Sequence, residues 1–385
     1  MEFTLTPEQL MMRDMVRDFA QNEVAPLAAE IDREGRVPWE TLRKAAELDL
    51  MGVPFPEKYG GAGAGEMGYC LLMEELGKVC TSTATIIGAH IGIAANSIYL
   101  AGSEEQKQKY LVPLARGKKI GAFALTEPNA GSDAAALQTT AVRDGDHYVL
   151  NGSKIWITNG SIAEVIVAYA VTDRTLGPRG ITAFIVEPSF PGFSVGTKDD
   201  KMGIRGSPSA ELVFTDCRVP AENVLGQEGA GFKIAMRVLD LGRLGLGAAC
   251  LGGAEAALAA SVEHAKNRRQ FGEPIATKQA IQWMVADMAT RIEALRWMVY
   301  HTAWLVDTGQ RFSRESAMCK LFGSETASWC IDRALQIHGG MGYMKSYPIE
   351  RMYRDARIAE IFEGTNEIQR LVIAEDVFRE AGLRL

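Results

Sequence analysis

Along this chain of 385 residues the spacing of apolar side chains changes period twice. Up to about residue 120 the apolar positions recur at helical spacing. Between about 121 and 230 they alternate or run in short β-branched blocks, and from about 231 onward they are helical again. There is no internal repeat and no low-complexity linker. The order predicts a mainly α protein with a small central β domain: an N-terminal helical domain over 1–120, the β domain over 121–230, and a C-terminal helical domain over 231–385.

Local signals support the division. Thr6-Pro7-Glu8-Gln9 has the form of an N-cap followed by Pro at the first helical position. Asn151-Gly152, between His147–Leu150 and Ser153–Thr158, predicts the tight turn of a hairpin. In the last region Ile281, Met284, Met288, Ile292 and Leu295 mark one apolar helical face.

Composition removes several function classes. Forty-one Lys+Arg against 48 Asp+Glu leave a net charge of −7 with no basic run, which disfavours a nucleic-acid grip. The six cysteines are dispersed without a C-x-x-C pair, so neither a disulfide framework nor a metal site is expected, and the chain reads as reduced and cytoplasmic. The start, MEFTLTPEQL, lacks the basic patch and apolar core of a secretion signal. Val79–Ser103 carries no charged side chain, yet its His90, Asn96, hydroxyls and glycines suit a buried central helix better than a membrane span.

Five motifs remain. Gly63-Ala-Gly65-Glu-Met-Gly68 matches a dinucleotide fingerprint in letters only, because no strand precedes it. Thr126-Glu-Pro-Asn-Ala-Gly-Ser-Asp133 can hold a phosphate or a flavin edge on its backbone N–H groups and hydroxyls, or can be an ordinary Asx or Pro turn. Trp156-Ile-Thr158 offers an aromatic plane to a planar ligand, or a core side chain. Gln336-Ile-His-Gly-Gly-Met-Gly342 ends a helix in glycines that permit close backbone approach, or simply terminates it. In Ile361-Phe-Glu-Gly-Thr-Asn-Glu367, apolar neighbours should raise the pKa of Glu363 and suit it to be a base. Glu367 fits better as the acid of a helix's first turn.

Taken together, Leu125–Asp133, Trp156–Thr158, Asn267–Gly272, Gln336–Tyr343 and Phe362–Gln369 resemble the acyl-CoA dehydrogenases, in that family's order across essentially the whole chain. Asp199–Arg205 and Asp240–Arg243 bring the resemblance closest to the short-chain, butyryl-CoA type. The resemblance implies a barrel-like middle β domain, a C-terminal four-helix bundle, FAD between those two domains, and a homotetramer. Position by position it implies that Phe123, Ala124, Leu125, Thr126, Gly131, Ser132, Trp156, Ile157 and Thr158 hold the isoalloxazine and nearby phosphate, joined by Thr365, Asn366 and Glu367. Arg268, Gln279, Gln336, Ile337, His338, Gly339 and Gly340 would serve the adenosine end of a neighbouring subunit's FAD. Ser132, Asp240, Leu241, Gly242, Arg243 and Gly364 would face the acyl-CoA, and Glu363 would take the α proton.

The implied activity is α,β-dehydrogenation of a short-chain acyl-CoA in β-oxidation, with electrons passed to electron-transfer flavoprotein, away from nucleic acid and membrane. A short branched acyl-CoA, or an oxidase of the same fold, is the alternative. A DNA-binding relative would need a basic surface, and monooxygenase or desulfinase relatives generally lack a base at 363. The isovaleryl and long-chain types carry their base where this chain has Gly242. The glutaryl type needs a cation, and Ser82–Leu100, expected to line the acyl cavity, has none.

Overall fold

The computed structural model describes residues 4–383; the first three residues of the MEFTLTPEQL stretch lie outside it. Helices α1 (Pro7–Phe19), α2 (Ala28–Glu34), α3 (Trp39–Glu47), α4 (Gly65–Val79), α5 (Thr81–Gly88), α6 (Asn96–Ala101), α7 (Glu104–Gln106) and α8 (Val112–Ala115) form the first region. The expected cap of α1 is a full capping box: Thr6 Oγ1 accepts from Gln9 N–H and the Gln9 side chain accepts from Thr6 N–H. Between α5 and α6 the chain continues through π-helical turns at Ala89–Ala95. Gly65 and Gly68 sit at the start of α4 with no strand before them, so the glycine-rich stretch is a helix entry.

Strands β1 (Gly121–Ala124), β2 (Thr140–Asp144), β3 (His147–Thr158), β4 (Val165–Val171), β5 (Ile181–Val186), β6 (Phe193–Lys198), β7 (Ser209–Pro220) and β8 (Val224–Leu225) make one eight-stranded sheet. Its order is β6-β7-β3-β2-β4-β5-β8, with β1 paired parallel to β4. Alternation sends Phe123 and Leu125 into the large core shared with the helices. Ala122 and Ala124 go into a second core on the other face of the sheet.

The Asn151-Gly152 turn is not there. β3 runs unbroken from His147 to Thr158, and the tight turn joining it to β2 lies at Gly145 and Asp146. Asn151-Gly152 instead forms a bulge, where pairing with β7 slips between Leu150 and Gly152. Asn151 spends both ends of its amide on Asp216, accepting from its N–H at 2.8 Å and donating to its carboxylate at 3.1 Å. Thr139 crowds Gly152 to the point that its Oγ1 would lie 2.5 Å from an added Cβ.

Helices α9 (Gly231–Asn267), α10 (Gln279–Asp307) and α11 (Ser313–His338) pack on one another, α12 (Pro348–Ala356) follows, and α13 (Asn366–Glu380) packs on α11. The Ile281–Leu295 face is only partly as drawn: Met288, Ile292 and Leu295 are buried, whereas Ile281 and Met284 lie at its rim. α4 and α9 meet along a glycine seam. A Cβ added to Gly77 would run into the carbonyl of Ala249, and one on Gly252 into the carbonyl of Glu74. Two helical stretches among the described residues, Thr81–Ala101 and Gly231–Asn267, are long and apolar enough to cross a bilayer; here both are packed against other elements.

Candidate functional site

The main cavity, of about 250 Å³, lies where α4, α5 and its π-helical extension, the β1 and β3 ends, α9 and the Arg357–Gly364 segment converge. Twelve of the residues singled out above line it: Phe123, Leu125, Thr126, Gly131, Ser132, Trp156, Ile157, Thr158, Gly242, Arg243, Glu363 and Gly364.

Two features of β3 aim its end at the cavity. Pairing with β7 slips again between Lys154 and Ile157, and Trp156 adopts a left-handed φ of +57°. The bulge turns the indole outward, 65% exposed, so the core reading of Trp156 is corrected. The same bulge turns Lys154 inward, fully buried, where its ammonium donates to Leu125 O at 3.1 Å and Glu127 Oε1 at 2.7 Å. Glu127 also accepts from the N–H groups of Gln138 and Thr139, and Ile155 N–H donates to Thr126 O. One buried ion pair therefore anchors the Leu125–Ala130 turn from both sides. Burial lowers the Lys154 pKa to about 8, and Lys154 holds the Glu127 carboxyl below its usual range against its own burial.

Glu363 occupies a left-handed conformation, φ +56°, followed by Gly364 at φ +89°. For a residue with a Cβ that conformation costs roughly 1–2 kcal/mol. Side chains hold it in place: Arg243 Nε donates to Glu363 O at 3.2 Å, and Gln369 Nε2 donates to Glu363 O at 3.3 Å and Gly364 O at 3.0 Å. Arg243 is itself fixed by Asp240, 2.9 Å away, whose other carboxylate oxygen accepts from Ser313 Oγ at 2.6 Å. Thr365 caps α13, accepting from Ile368 N–H.

The result is a carboxylate with one oxygen, Oε2, buried and without a hydrogen-bond partner. It stands so close to Gly242 that any side chain there would collide with it. Burial raises the Glu363 pKa to about 7, with Arg243 and Lys320 pulling the other way. Glu367 is exposed, and its pKa is lowered by hydrogen bonds from its own backbone N–H and then from the Thr365 side chain, as suits an acid in a helix's first turn. Glu360 is fully engaged, with Ser328 Oγ at 2.6 Å and Arg357 Nη1 at 2.7 Å.

The remaining expected residues lie elsewhere. Ala124 points into the other core of the sheet, and Leu241 is buried beside Gly242 without lining the cavity. Asp240 acts on the cavity only through Arg243. Thr365, Asn366 and Glu367 do not line it. Arg268, Gln279, Gln336, Gly339 and Gly340 are exposed and away from it. Ile337 and His338 are buried at the end of α11, His338 stacked on His264 with ring centroids 4.3 Å apart. Of Ser82–Leu100 only Ala84, Thr85, Gly88, Ala89 and Ile93 reach the cavity.

Sequence reasoning missed Tyr69, Met73 and Lys320. Lys320 is completely buried on α11, donating to Asn366 Oδ1 at 2.8 Å, with its pKa lowered by burial to about 8. The signal was available: a lone lysine among Ser316, Ala317, Cys319, Gly323 and Ser324, all on the buried face of one helix.

A planar redox cofactor fits the lining. The exposed indole of Trp156, the hydroxyl-bearing Thr126, Ser132 and Thr158, and the Glu363 carboxylate line one mostly apolar space, with Arg243 and Asp355 also on its wall. Three family profiles match the chain: the acyl-CoA dehydrogenase N-terminal domain over residues 6–118, the middle domain over 122–217 and the C-terminal domain over 229–378. The short-chain specific acyl-CoA dehydrogenase of Clostridium acetobutylicum is 52% identical over 98% of this chain and 100% of its own length. Butyryl-CoA dehydrogenase from Megasphaera elsdenii superposes with a TM-score of 0.97 at 46% identity, covering 98% of this chain and all of that one. A chain from the study of the electron transferring flavoprotein of Acidaminococcus fermentans, on flavin-based electron bifurcation, matches with TM-score 0.97 at 50% identity over 98% and 100%. An acyl-CoA dehydrogenase from Bacillus anthracis complexed with FAD matches at 0.92 and 39%, covering 98% of this chain and 67% of that one. The cofactor is FAD, and the chain belongs to the acyl-CoA dehydrogenase family of flavin oxidoreductases.

Proposed function

We propose that this enzyme removes hydrogen from Cα and Cβ of a short-chain saturated acyl-CoA, giving the trans-2-enoyl-CoA, with Glu363 as base. The observation that carries the reading is the Glu363 carboxylate lining the cavity, with one oxygen, Oε2, buried and without a hydrogen-bond partner. Bound FAD supplies the hydride acceptor, and the turn Leu125–Ser132 together with Trp156–Thr158 would hold it. Every other part falls to the chain. The Glu363 carboxylate takes the α proton, and a pKa of about 7 leaves a large fraction ionised at neutral pH while keeping the group basic enough to act. Arg243 and Gln369 fix the backbone beneath it. The apolar lining excludes water and so strengthens hydrogen bonds to the thioester carbonyl.

The short-chain preference is supported by the relatives named above and by the absence of Lys and Arg along Ser82–Leu100. Electron-transfer flavoprotein is the proposed acceptor, by analogy with the Acidaminococcus study. A homotetramer in the cytoplasm, divided into domains near residues 120 and 230, completes the reading. Exposed Arg268, Gln279 and Gln336, with Phe271 also bare at 95% exposed, are what a surface completed by a neighbour would offer.

Glu363→Gln tests the assignment. FAD and acyl-CoA should still bind, and anaerobic bleaching of the flavin by butyryl-CoA should slow by several orders of magnitude. Near-normal bleaching in that variant, with Glu360→Gln slow instead, means the base is elsewhere.

A further inference from the structure

Resting on the short-chain reading, we propose that the acyl length this enzyme accepts is set by one flexible side chain, Met73, on the wall of the channel that leads from the acyl site toward a rear chamber.

Four walls run in step from Glu363 to that chamber. On α9, Gly242 lies beside the carboxylate, then come Leu246, Cys250 and Gly253, and finally Ala256 and Ala260, which line a second cavity of about 210 Å³. α4 contributes Tyr69, Met73 and Gly77 in the same direction, and the α5 wall Ile93, Gly88, Thr85 and Thr81. Opposite them, Glu363, Ala359 and Ala356 lead to Met352. Gly77, Thr81, Met352 and Asp355 border both cavities, so the two adjoin. The eleven residue steps from Gly242 to Gly253 span about 16 Å of helix. A butyryl group has a single carbon beyond the bond it desaturates and uses only the first part of that length.

What fills the channel between the two ends differs in rigidity. Tyr69 is fixed: its hydroxyl donates to Gly88 O at 3.3 Å, and its ring lies 2.5 Å from where a Cβ on Gly245 would be. Met73, one turn further along α4, has no polar anchor. Its Cε packs on Gly88, 2.8 Å from where a Cβ there would stand. A thioether on three rotatable bonds can swing aside at little cost. Behind it the lining is small, with Gly77, Ala84 and Gly253, and the far chamber turns polar at Lys78, Arg351 and Asp355. The channel therefore has length in reserve that butyryl does not need, and Met73 is the flexible side chain on its wall part-way along.

The test is kcat/KM of the holoenzyme across straight C4, C6, C8 and C10 acyl-CoAs. Met73→Ala should raise the octanoyl-to-butyryl ratio about tenfold or more, the size of effect a few methylenes in an apolar pocket produce. Gly88→Ala adds a carbon that pushes the Met73 methyl into the channel and should lower the hexanoyl-to-butyryl ratio. Met73→Leu, similar in volume but unable to swing, should do the same without loss of Tm. All three should keep the oxidised flavin spectrum. Unchanged length profiles in folded variants overturn the assignment of Met73 while leaving the short-chain reading intact. A wild-type enzyme fastest on C8 or C10 overturns the short-chain reading itself, whatever Met73 does.

Discussion

Glu363 combines three properties that a sequence rarely reveals together: a left-handed backbone, one oxygen without a partner, and a pKa near 7. Its identity as the base was legible because apolar neighbours and a following glycine predicted desolvation. The two cations that hold its pKa down were legible only in part. Arg243 sat in a recognised motif, whereas Lys320 lies 43 residues upstream on another helix and meets it only in the fold. The sign of the pH dependence follows. Base catalysis needs the carboxylate, so the rate of flavin reduction should fall as pH drops through about 7. In Lys320→Met, with an attractive cation gone, that midpoint should move to higher pH. Stopped-flow bleaching at a series of pH values reads both. Gly242→Ala probes the geometry. Its methyl would overlap Oε2 and stand 2.7 Å from Ile93 Cγ2, both ends of side chains that can move. Folding and FAD content should survive, but the rate should fall about a hundredfold, because a displacement of about 1 Å at a reacting atom costs that much.

Between elements, the α4–α10 contact carries a second raised carboxylate. Asp307 caps α4, accepting from Glu66 N at 2.7 Å and Met67 N at 3.0 Å. The Glu66 side chain is buried beside it with Oε1 unpartnered, and burial with the Asp307 charge raises its pKa to about 8. An acid whose pKa rises on folding binds its proton more tightly in the folded state. Its contribution is fully present below about 4.5 and is lost as pH rises toward 8, at up to about 1.4 kcal/mol per pH unit. Glu66→Gln should flatten that part of the decline in Tm between pH 5 and 8, measured on FAD-loaded protein; an unchanged slope assigns the decline elsewhere. The β3 bulges show where element-level reading ran out. Asn-Gly is the strongest short hairpin signal, yet Thr139 and Asp216, both distant in sequence, take up its conformational freedom and turn it into a bulge. The second bulge, at Lys154–Ile157, carried no turn residue at all, so the outward Trp156 could not be foreseen.

At the scale of the molecule, the order helices, sheet, helices was legible from periodicity alone. The sheet's path was not, because β1 joins it parallel to β4 through contacts that no local pattern encodes. Residues expected at the adenosine end of FAD fall outside the cavity of their own chain, and cofactor and assembly should therefore be linked by mass action. Arg268→Ala should lose bound FAD and the oligomer together, read by flavin content and light scattering on one sample; a monomer with stoichiometric FAD contradicts it. Trp283, Trp297 and Trp304, exposed at seven- and fourteen-residue intervals along α10, mark the face to watch in that experiment.

The glycine seam between α4 and α9 divides the enzyme's future from its past. Where Gly77 meets the Ala249 carbonyl and Gly252 meets that of Glu74, main chain lies against main chain, and no side chain larger than hydrogen can be drawn from the genetic code without parting the helices. That wall is closed to selection. Divergence toward other substrates must be written instead at cavity-lining side chains such as Met73 and Ala359, whose neighbours can give way, so a lineage changing its diet should vary there while the seam stays still.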